Sequence, residues 1–186
     1  MKKKIFLTLV LLALTACTVG KVIPVDSKTG LYPAKSIAKV ITSKPIDLDT
    51  RKSLILVPNN DDFVKGSIKN MNYFNEIIDY KELETRIIKA NLTDKIPSIN
   101  DKIGINNAAK HYKDFIWFRF ERISSDPSNP KMRFMLTDPI TAEDIFVTET
   151  DLDYAWKGVN DQYNWYPMFN SIIDYIKLNS KTYNKN

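Results

Sequence analysis

Three short segments rich in aromatic and β-branched residues limit what this 186-residue chain can become: Phe115–Arg122 (FIWFRFER), Lys131–Thr137 (KMRFMLT) and Ile145–Asp151 (IFVTETD). They are separated by SSDPSNP and DPITAED, both carrying Asp and Pro and the first also Ser and Asn, residues that close turns. Strands joined by such short connections must run antiparallel, so the pattern predicts a three-stranded meander. Side chains alternate along a strand. Ile116, Phe118 and Phe120 therefore share a face, as do Met132, Phe134 and Leu136, while Arg119, Glu121, Arg133 and Glu149 can pair on the other.

The remaining elements must cover that apolar face. Residues from about Trp165 to Leu178 place Trp165, Phe169, Ile172, Ile173 and Ile176 on one stripe of a closing helix, with Pro167 permitted in its first turn. Upstream, Leu54-Ile55-Leu56-Val57 is a continuous apolar run stopped by Pro58-Asn59-Asn60, as in a strand covered on both sides. A short helix over Asp62–Met71, weakened by Gly66, precedes a brief strand within Tyr73–Ile78. Asp79 with Glu82 starts a helix reaching Asn91, and Ser98 with Asp101 starts another carrying Ile103, Ala108, Ala109 and Tyr112. The sum is an α+β (mixed α/β) fold: a mixed sheet with a C-terminal three-stranded antiparallel meander, helices packed on it and a closing C-terminal helix. In order of elements it resembles the small α/β domains of periplasmic lipoproteins of the curli-secretion and TolB amino-terminal type.

The first twenty residues, MKKKIFLTLVLLALTACTVG, form a separate unit. Lys2, Lys3 and Lys4 give a positive start, and the apolar core Ile5–Ala13 is far shorter than the ~20 residues of a membrane-spanning helix, so it reads as a signal peptide. It ends in Leu14-Thr15-Ala16-Cys17, which resembles the lipobox of bacterial lipoproteins. That resemblance implies a diacylglyceryl group on the Cys17 sulfur, cleavage before Cys17 and acylation of the freed amine. Thr18 stands where an Asp retains lipoproteins at the inner membrane in enteric-type bacteria. The resemblance thus implies the periplasmic side of the outer membrane.

The expected organisation is a signal peptide over 1–16, a lipidated cysteine and extended tether over 17–50, one globular domain over 51–180 and a polar tail over 181–186. The tether rests on Pro24, Pro33 and Pro45 with Gly20 and Gly30, and it ends in an edge strand around Ala38–Thr42. Without Lys2, Lys3 and Lys4 the chain holds 24 basic against 22 acidic side chains, interspersed and with no stripe, a pattern that argues against nucleic acid as partner. Cys17 is the single cysteine, so no disulfide and no cysteine-bound metal is expected.

Candidate chemistry is sparse. His111 is the lone histidine and there is no G-x-S-x-G elbow, so a catalytic triad is not expected and His111 reads as an ordinary position at a helix end. Gly66-Ser67-Ile68-Lys69 lacks phosphate-loop spacing. The acidic groups Asp47/Asp49, Asp61/Asp62 and Asp151/Asp153/Asp161 match no calcium loop and read as turn and cap residues. One aromatic concentration stands apart: Tyr154, Trp156, Tyr163, Trp165 and Tyr166, interleaved with Lys, Asn, Asp and Gln. These rings either plug the gap between meander and closing helix, with Trp165 in the core, or serve as contacts. In the second case Tyr154, Trp156, Tyr163 and Tyr166 are the contact residues for a sugar or a protein. No cofactor and no metal site is expected. The expected partners are a membrane, through the lipid, and an envelope protein; the alternative is peptidoglycan or another glycan, bound or weakly hydrolysed at the 151–166 loop.

Overall fold

The computed structural model describes residues 20–123, 130–152 and 161–183. Cys17, Asp153, Tyr154 and Trp156 lie outside the described residues. Six strands form one sheet: β1 Lys39–Ser43, β2 Ile55–Val57, β3 Ile77–Asp79, β4 Ile116–Arg122, β5 Lys131–Asp138 and β6 Glu143–Asp151. Their order is β1-β6-β5-β4-β2-β3. Strands β4, β5 and β6 form the expected meander, with Phe118 opposite Leu136 and Leu136 opposite Phe146. β2 pairs in parallel with both β3 and β4, and β1 pairs antiparallel with β6. The sheet is therefore mixed, and with four α-helices the fold is α+β.

The helices are α1 Asp62–Asn70, α2 Tyr80–Lys89, α3 Lys102–His111 and α4 Trp165–Asn179. The first three start on an aspartate whose carboxylate accepts a backbone N–H of the first turn: Asp61 from Val64, Asp79 from Glu82, Asp101 from Gly104. From β2 the chain crosses through α1 to β3, then back through α2 and α3 to β4 on the far side of β2. Two parallel crossovers of one hand in opposite directions put their helices on opposite faces. Ile55, Val57, Phe118 and Phe134 accordingly pack with Val64 and Ile68 of α1 and Phe169, Ile172 and Ile176 of α4. Leu54, Leu56 and Ile78 pack with Leu83, Ile87, Ile105 and Ala108 of α2 and α3 on the other side.

Two glycines mark close approaches. A Cβ on Gly104 would lie 2.0 Å from the Ser98 carbonyl oxygen, so α3 sits too near its own lead-in for any side chain there. Gly66, which weakens α1 as a helix, leaves the space that the Val22 methyls occupy.

The N-terminal segment differs from the expectation. Residues 20–50 are not an extended tether standing off the body: Tyr32 (3% exposed), Ala38 and Leu48 belong to the core. Asn170 of α4 clamps the Tyr32 backbone from both sides, accepting from its N–H at 2.7 Å and donating to its carbonyl at 2.9 Å. The Tyr32 hydroxyl donates to Ser67 O, Asn70 donates to Ile23 O, and Ile46 N–H donates to Asn179. Prolines restrict the backbone but do not oppose burial. Ile23, Val25, Leu31, Tyr32, Ala38, Ile46 and Leu48 face inward at spacings that follow neither a helical nor a strand period, because an irregular strap follows the contour of its neighbours. Only β1 within it was expected.

The start of the polar tail is likewise docked. Asp49 accepts hydrogen bonds from Ser180 Oγ at 2.7 Å, Thr182 Oγ1 at 2.6 Å and Lys181 N–H at 2.8 Å, and Tyr183 stands edge-on to Tyr73. Among the described residues no helix is long and apolar enough to cross a membrane.

Candidate functional site

The aromatic concentration divides in the structure. Tyr166 corrects the expectation of a contact residue: it is 4% exposed and stacked on Tyr32 with centroids 5.2 Å apart, because the first turn of α4 faces the strap. Trp165 is half-buried and meets Phe63, Phe120 and Phe134 at 5.4–5.5 Å, which is its expected place against the core. Tyr163 remains partly accessible, with the Lys35 ammonium 5.8 Å from its ring centroid. Of the four candidates, Tyr163 is the one that the structure describes at the surface.

Around Tyr163 the strap meets the lead-in to α4. Lys35 N–H donates to Gln162 O at 2.7 Å, Ser36 Oγ donates to Tyr163 O at 3.0 Å, and Gly20 N–H donates to Asp161 Oδ2 at 2.9 Å. Asp161 is only 2% exposed, and burial pushes its carboxyl pKa up, with the Gly20 bond opposing. Its backbone oxygen receives Trp165 and Tyr166 N–H, so one residue starts α4 and holds the head of the strap. Next to this junction the sheet edge is apolar: Ile37 is 95% exposed, and Val40 and Ile41 on β1 are about half exposed. The sequence carried one signal for this edge that went unread, an isoleucine among polar neighbours in AKSIAK.

No family model matches the chain, nor does any curated protein or solved structure.

Elsewhere, charged side chains neutralise one another. On the sheet face left open by α2 and α3, Arg119 binds Asp144 at 2.6 Å and stacks on Trp117 at 4.8 Å, Arg133 bridges Glu149 and Glu121, and Lys131 meets Asp151. The expected cross-strand pairing holds for Arg133, Glu121 and Glu149, whereas Arg119 takes Asp144 across the bulged end of β6. Asp47 and Asp61 cap a 3-10 turn and α1. Among the described residues no group of three His, Cys, Asp or Glu side chains is placed to hold a metal ion. His111 is the exposed last residue of α3.

A groove of about 950 Å³ lies between the strap, the end of α1 and the docked tail. Lys52, Asn70, Asn72, Asn75, Tyr73 and Tyr183 are among its walls. Its lining is polar: amides offer donors and acceptors, the tyrosines offer ring faces, and Lys52, Lys177 and Asp26 bring charge of both signs. Sequence reasoning missed it, since its walls come from positions 25 to 183.

Proposed function

We propose that this chain is a bacterial envelope lipoprotein, acylated at Cys17, held on the periplasmic side of the outer membrane and acting through contact with an envelope protein partner rather than through catalysis. The observation that carries this reading is Leu14-Thr15-Ala16-Cys17 behind three lysines and a short apolar core, which resembles a lipobox in charge, length and sequence together. Each buried methylene contributes about 0.8 kcal/mol, so one acyl chain holds marginally and three make release very slow. Thr18 supports the outer membrane over the inner one.

The open sheet face supports a binding role over a reactive one, since its arginines and carboxylates are engaged in mutual ion pairs. The test is crosslinking in cells followed by mass spectrometry. A discrete protein crosslinked to the anchored chain is the expected result, and the absence of any such partner would count against the reading.

A second reading, glycan binding, is favoured by the groove with its three asparagines and two tyrosines. It shifts the alternative away from the 151–166 loop, where Tyr166 is buried. Binding of the purified protein to murein sacculi separates the sites: loss on Asn75→Ala with Trp156→Ala unaffected points to the groove, and the reverse points to the loop.

A further inference from the structure

Acylation of Cys17, as proposed, is the premise; given that lipid, the strap determines how the body meets the bilayer. The chain is fixed to the body from Gly20 onward: Gly20 N–H is held by Asp161, Lys21 O accepts the Tyr166 hydroxyl, and Ile23 O accepts from Asn70. Two residues, Thr18 and Val19, separate Cys17 from Gly20, and at 3.3–3.6 Å per residue the three steps span at most about 11 Å. The polar layer of one leaflet is itself about 5–8 Å deep. A lipid on Cys17 therefore leaves almost no free tether, and the surface around Gly20 is pulled onto the membrane.

That surface has the composition of a membrane-seating one. Gly20 and Lys35 are bonded to the neighbouring residues Asp161 and Gln162. Two residues beyond Lys35, Ile37 projects from the body 95% exposed, and Val40 and Ile41 follow on the outer strand. Lys21, Lys35 and Lys39 lie along the same segment, and Lys131 lines the same depression as Ile37 and Lys39. Asp151 and Glu149 border it too, and both pair with Lys131. Single exposed apolar residues are ordinary on a protein surface. Here the residue stands among lysines, beside the point where the anchored chain enters the body.

We infer that the end of the molecule carrying Gly20, Lys35 and Ile37 is seated on an anionic phospholipid surface, with Ile37 entering the headgroup layer and the lysines facing phosphate. The opposite side of the sheet, with α3 and its exposed Ile103, points away.

The chain supplies its own probe chemistry, since its single cysteine is the one that carries the lipid. Ile37→Cys and Ile103→Cys each add one reactive thiol at an exposed position, with circular dichroism as the check on folding. Each acylated full-length variant is labelled with an environment-sensitive fluorophore and reconstituted into vesicles of phosphatidylethanolamine and phosphatidylglycerol. Headgroup-attached nitroxide lipid should quench the label at position 37 severalfold more than that at position 103, and less so in zwitterionic phosphatidylcholine vesicles. Equal quenching at the two positions, with acylation verified by intact mass, would overturn the inference and leave the anchor standing. So would position 37 crosslinking to a protein while staying unquenched. An unacylated Cys17 would remove the anchor itself, and the mass alone reports that.

Discussion

Two aspartates show how a single carboxyl can tie a chain end to the body with opposite consequences for stability. Asp49 is held well below its ordinary pKa of 3.8, first by Ser180 and then by Thr182, which bond its charged form. Its contribution is present above the unfolded value and is lost as pH falls below it towards the depressed folded one. Asp161 runs the other way. Burial raises its folded pKa above 3.8, so the folded state binds more protons in that window and stability falls as pH rises through it. Asp161→Asn keeps an acceptor for Gly20 N–H and removes the buried charge. It should leave the urea midpoint at neutral pH unchanged or higher and flatten its decline from acid to neutral pH, whereas a lower midpoint would show that the charge is needed. Asp49→Asn should speed amide exchange at Lys181 and Thr182 severalfold, since both N–H groups now donate to a carboxylate oxygen. Sequence separates these residues poorly from Asp61, Asp79 and Asp101. Those three cap helices three positions away and are legible from spacing; Asp49 meets Ser180, Lys181 and Thr182 across 131 to 133 positions.

At the scale of elements, legibility follows periodicity. The meander and α4 repeat strongly, and the expected bounds differ from the observed by a few residues. The brief strand expected within Tyr73–Ile78 is Ile77–Asp79, because only those residues align with β2, and Tyr73 and Phe74 enter the core from a loop. Aromatic packing at the centre of the main core sets the scale of loss on truncation. Phe134 is fully buried and meets Phe118 and Phe169 at 5.1 Å and Trp165 at 5.4 Å. Phe134→Ala should cost about 3–5 kcal/mol in denaturant unfolding. Gly104→Ala should destabilise despite the ~1 kcal/mol that alanine adds to a helix, because the Ser98 carbonyl must be displaced. The strap was invisible for the reason that makes it effective, since residues that follow the contour of α1 and α4 carry no period of their own. A chain beginning at Arg51 should therefore lose cooperative unfolding, as it lacks Tyr32 and Leu48 from the core and uncovers the edge of β6. Retention of a sharp transition in that truncation would return residues 20–50 to the role of tether.

For the whole molecule, the proposed acylation of Cys17 and the docked strap together imply a fixed attitude of the body on the membrane. A long free tether would let the domain search a volume above the membrane. With Gly20 bonded to Asp161, the proposed anchor would instead hold any partner contact at the bilayer surface, on the faces that the membrane leaves open. The candidate site was legible only in part: Tyr163 is partly exposed, Tyr166 is buried, and the apolar edge and the groove depend on residues that only the fold brings together. The most direct measurement is the intact mass and N-terminal peptide of the protein taken from its own membranes. The account predicts a chain beginning at Cys17, with diacylglyceryl on sulfur and an acyl group on the amine. A chain beginning elsewhere, or a Cys17 with a free thiol, would contradict it.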